Sequence, residues 1–65
     1  MTRLIESYSN SSKLYLILFK PDKKIAALRV EPNANNQVAP ELWVKADRVK
    51  KALTSLGYLC TLEVF

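Results

Sequence analysis

Six consecutive apolar residues, 14–19, run between Lys13 and Lys20. A strand turns alternate side chains to opposite faces, so a strand without polar alternation needs cover on both. Turn chemistry brackets this run. Residues 9–12 (Ser-Asn-Ser-Ser) precede it, with Asn10 the residue there that best tolerates left-handed backbone. Lys20-Pro21-Asp22-Lys23 follows, with proline at the second position of a type I turn. Residues 25–30 (Ile-Ala-Ala-Leu-Arg-Val) then return as the partner strand, so 13–31 reads as a β-hairpin.

The flanks complete the order. Residues 2–8 alternate weakly, as a short edge strand would, and residues 32–37 read as a loop on composition. Pro40 and Glu41 suit a first helical turn. Leu42, Ala46, Val49, Leu53 and Leu56 share one stripe on a 3.6-residue wheel, and Gly57 supplies a C′ stop. Residues 58–65 form a last strand. The pattern predicts a single α+β domain over residues 1–65, a small, mostly antiparallel four-stranded sheet (β-β-β-α-β) with one helix packed on one face. A right-handed crossover would set the last strand parallel to the first, in the order 3-2-1-4. The alternative places it at the other edge.

Charged residues assign the faces. Glu63 keeps Leu59, Thr61 and Phe65 on the side away from the helix. Arg29 does the same for Ile25 and Ala27, and Lys13 for Tyr15, Ile17 and Phe19. Leu14, Leu16, Leu18, Ala26, Leu28, Val30, Cys60, Leu62 and Val64 are left to meet the helix. The outer set, Tyr15, Ile17, Phe19, Ile25, Leu59 and Phe65, forms a candidate protein interface, since an exposed apolar patch of a few hundred Å² marks an interaction surface and aromatics within a charged rim fit interface centres.

Composition narrows the function. The chain has 49% apolar and 25% charged residues, which fits a folded domain. Its net charge of +4 permits nucleic-acid contact. The residues for that would be Lys45, Arg48 and Lys51 on the outer helix face, Lys20, Lys23 and Lys24 in the hairpin turn, and Trp43 stacking on a base. The asparagine-rich loop could also read base edges. Glu41–Lys45 and Asp47–Lys51 have the spacing of helical ion pairs, which makes a solvated face the simpler reading. Aromatic residues on an open sheet face are also how RNA-recognition motifs bind. Their consensus is not met: Leu14 and Leu16 stand where small residues belong, Ile17 replaces an aromatic, and a second helix is missing.

Chemistry finds little support. There is no histidine, and one cysteine forms no intrachain disulfide and no zinc constellation. Cys60 sits in an apolar run and reads as core. The carboxylates are dispersed, the serines lack a nucleophile-elbow setting, and one glycine makes no phosphate loop. We expect no catalytic residue, metal, cofactor or small-molecule substrate. The first residues lack a signal-peptide core and no segment spans a bilayer, so a cytoplasmic protein without a membrane partner is expected. The preferred expectation is a small regulator, inhibitor or accessory subunit, a homodimer or a piece of a larger complex. The runner-up is a nucleic-acid-binding protein.

Overall fold

The computed structural model describes residues 1–64. Four strands, β1 (Thr2–Ser7), β2 (Lys13–Lys20), β3 (Ile25–Glu31) and β4 (Leu59–Val64), form one sheet, and α1 (Pro40–Ser55) packs on one face of it. This is the α+β order expected. The sheet is mixed: β1–β2 and β2–β3 are antiparallel and β3–β4 is parallel.

Strand order is β1-β2-β3-β4, so β4 lies beside β3 and not beside β1. The other edge holds, and side-chain chemistry explains why. In β3, Ala26, Ala27, Leu28 and Val30 are at most 1% exposed, which requires neighbours on both sides. By contrast, β1 carries Thr2, Arg3, Glu6 and Ser7 and stays an edge. Its register slips between Leu4 and Glu6, a bulge that interrupts pairing at that edge.

On the helix side, Leu14, Leu28, Val30, Ala39, Leu42, Ala46 and Cys60 make the core, with Ile5, Tyr8, Leu16, Val38, Val49 and Leu53 packed around it. Four residues of the anticipated helical stripe therefore face inward. Leu56 does not. It is the C-cap and is exposed. The helix stop is a Schellman motif: Gly57, at φ 88°, donates to Thr54 O, and Tyr58 donates to Leu53 O. The last helical turn holds no basic residue. Lys24 of the hairpin turn supplies one, donating from Nζ to the Leu56 carbonyl at 3.2 Å.

The two hairpin turns also differ from expectation in detail. Between β1 and β2, the left-handed residue is Ser11 (φ 73°) and not Asn10. The Asn10 side chain is committed elsewhere, its Oδ1 accepting from the backbone N–H and the hydroxyl of Ser12. Between β2 and β3, a single 3₁₀ turn (Pro21–Lys23) ends in left-handed Lys24 (φ 56°).

Candidate interaction surfaces

Register arranges the outer face in cross-strand rows. Leu4, Tyr15, Arg29 and Glu63 form one row; Thr2, Ile17, Ala27 and Thr61 form the next; Ile25 and Leu59 form the last. Among the described residues, no element packs over them. The first of these rows is polar in effect. Arg29 meets Glu63 at 3.3 Å, and Tyr15 donates its hydroxyl to Glu31 at 3.0 Å. That bond, with some burial, raises the Tyr15 phenol above its ordinary pKa.

The middle row changes the expected patch. Ile17 is 7% exposed and Ala27 fully buried, yet neither belongs to the helix-side core. A methyl between Ile17 and Thr61 is shielded by its neighbours alone, and Ile17 lies between Thr2 and Ala27. Ile17 is therefore part of the sheet's own packing. The accessible apolar surface lies around it: Phe19 (55% exposed), Leu59 (68%) and Leu4, with Ile25 and Tyr15 half-buried. Phe19 stands where the β2–β3 register slips between Leu18 and Lys20, and such a bulge re-aims a side chain. Lys20 and Lys23 are exposed at the same end of the sheet. Phe65 lies outside the described residues.

The seven residues proposed for nucleic acid do not form one basic face. Lys20, Lys23 and Lys24 cluster at the hairpin turn near the helix C-terminus, where Lys24 is tied to Leu56. Lys45 and Arg48 line a groove at the other half of the helix, together with Glu6, Tyr8, Glu41 and Val44. Lys51 pairs with Asp47 at 3.0 Å, as its spacing implied. Trp43 is 41% exposed. It lies seven residues before Lys50, on the flank of α1 opposite Lys45 and Arg48, which share their groove with Glu6 and Tyr8 by β1, so this flank is the one nearer β4.

In the groove, Tyr8 donates to Glu6 Oε2 at 2.6 Å. Burial first, then this bond and the negative charges of Glu6 and Glu41, push its pKa up to about 12. The bulge at Ile5 is what turns Glu6 toward the helix. Burial raises the Cys60 thiol above its ordinary pKa, and the residue belongs to the helix-side core, where its apolar run placed it.

Sequence reasoning missed Ser12. It is fully buried, accepts from the Ala39 N–H at 3.1 Å and donates to Asn10 Oδ1. Asn33 completes the knot, donating to the Asn10 carbonyl and accepting from the backbone of Asn35 and Gln37. The asparagine-rich loop is thus held as a connection, with Asn33 spent on it. Among the described residues, no group of three metal-ligating side chains converges, and no helix is long and apolar enough to cross a membrane.

Among the described residues, these surfaces define a small α+β domain whose four-stranded mixed sheet is clad by its helix on one side and by no element on the other. It matches no protein-family model, no curated protein and no solved structure.

Proposed function

We propose that the chain is a non-catalytic protein-interaction module, a small regulator, inhibitor or accessory subunit that docks through the outer face of its sheet. One observation carries this: among the described residues no element covers the outer face, which keeps Phe19 and Leu59 exposed near Lys20 and Lys23. An apolar patch with exposed lysines at one end fits a protein surface with an apolar centre and an acidic group on the matching side. The net charge of +4 favours such a surface over a second copy laid face to face.

Binding assays with three proteins test the reading: the wild-type chain, Phe19→Glu, and a Lys45→Glu/Arg48→Glu/Lys51→Glu variant. A protein ligand held at high salt by the wild type and the triple variant, and released by Phe19→Glu, supports it. Nucleic acid bound with steep salt dependence, and lost only in the triple variant, supports the runner-up. That runner-up has less behind it, because Glu6, Glu41 and Asp47 lie among the basic groups of the helix.

A further inference from the structure

The edge of the sheet at β4 raises a question separate from its outer face. The N–H of Leu59 donates to the Lys24 carbonyl in a parallel register that pairs Ile25 with Leu59. In a parallel ladder this fixes the direction of every peptide group along the strand. Leu59, Thr61 and Glu63 turn their N–H and C=O groups toward β3. Cys60, Leu62 and Val64 turn theirs to the free edge, where no strand among the described residues receives them.

Sheets usually protect such an edge with charge, proline, a bulge or brevity. β1 has a bulge, Arg3 and Glu6. β4 has none of these along six residues: its register with β3 is unbroken, and its one charge, Glu63, is taken by Arg29. Apolar side chains flank it on both sides. Leu59 is exposed on the outer face, while Leu62 (43%) and Val64 (62%) are exposed on the inner face, with the Trp43 flank of the helix above them. The inner pair is open even though it lies on the clad side of the sheet.

We infer that β4 pairs antiparallel with β4 of a second copy, making one continuous eight-stranded sheet with both helices on the same side. A two-fold axis through Leu62 sets Leu62 against Leu62, Cys60 against Val64, and Thr61 against Glu63. These pairs are matched in kind: apolar residues meet on the helix side and polar residues on the other. An axis through Thr61 would instead place Glu63 against Leu59. In the Leu62 register, the outward-turned residues Cys60, Leu62 and Val64 are the ones that exchange backbone hydrogen bonds. Leu62 and Val64 of the two copies come together beneath the Trp43 flanks. A strand continues this ladder in register, and a copy of the same strand does so with no charge clash. The core is also slight, since four of the ten buried apolar residues among those described are alanines, and a small domain of this kind gains stability from burial between copies. The inference concerns the edge alone and holds whether or not the outer face docks a partner.

Sedimentation and amide exchange across a concentration series test it. A species of twice the 7.4 kDa chain mass is expected, with the Cys60, Leu62 and Val64 amides becoming protected as it forms. Leu62→Pro removes an edge donor and no bond to β3, so it should leave a folded monomer. The exchange measurement needs no variant and decides the matter should Leu62→Pro unfold. A monomer at millimolar concentration overturns the inference. So does a dimer in which these three amides exchange freely, and so does one abolished by Phe19→Glu but untouched by Leu62→Pro. That last result would leave the outer-face reading standing.

Discussion

Ser11 and Ser12 are adjacent and chemically identical, yet one is exposed in a left-handed turn and the other is fully buried. What separates them is a partner 27 residues away, the Ala39 N–H at the start of α1. No local pattern carries that information, which is why the turn was legible in sequence and its buried hydroxyl was not. Ser12→Ala would strand the buried Ala39 donor and remove one donor from Asn10. The expected loss is about 1–3 kcal/mol of stability, read as a lowered urea midpoint with an unchanged slope. Tyr8 gives a second test at this scale. Its folded pKa of about 12 lies above the ordinary value of 10.0, so between those values the folded chain holds a proton that the unfolded chain has released. Its contribution is therefore complete below pH 10 and declines as pH rises toward 12. Denaturation of wild type and Tyr8→Phe should show the wild type losing more stability than the variant over that interval. Parallel curves would mean that neither the burial of Tyr8 nor its Glu6 contact persists in solution.

At the level of elements, most of the chain was readable because its signals are local. The apolar run 14–19, the helical stripe and the lone glycine each act within a few residues, and β2, α1 and the helix stop follow from them. The position of β4 was not local. It depends on β3 needing neighbours on both sides while β1 tolerates an edge, a comparison between strands that periodicity does not make. Leu56 was misplaced for a similar reason: the wheel continues its stripe, but the Schellman turn ends the helix first and swings Leu56 into solvent. That turn can be tested directly. A Cβ at Gly57 would meet only the Lys24 side chain at ordinary contact distance, so Gly57→Ala isolates the left-handed conformation. The expected cost is about 1–2 kcal/mol, seen in thermal unfolding, with the amides of Gly57 and Tyr58 losing protection first. A neutral result would mean that the last turn has another way to close.

For the whole molecule, the issue is how one helix serves a sheet that is apolar on both faces. The sequence pointed to an uncovered patch and placed its described members on the right face, but face is not exposure. A residue in the middle of a four-stranded sheet is shielded by the rows beside it, whereas one at a bulge or an edge is not. Ile17 and Phe19 are two residues apart on the same strand and belong to these opposite cases. The same substitution should therefore give opposite outcomes. Ile17→Glu puts a carboxylate among Thr2, Ala27 and their neighbours, without a basic partner in its row, and an unpaired buried charge costs several kcal/mol. A domain with so small a core holds only a few kcal/mol in reserve, so this variant should be unfolded by circular dichroism. Phe19→Glu removes a largely solvated ring and should stay within about 0.5 kcal/mol of wild type, with binding lost and fold kept. If both variants unfold, the outer face is core and has no docking role. If both fold, Ile17 is reachable by solvent and the accessible patch extends across the middle row.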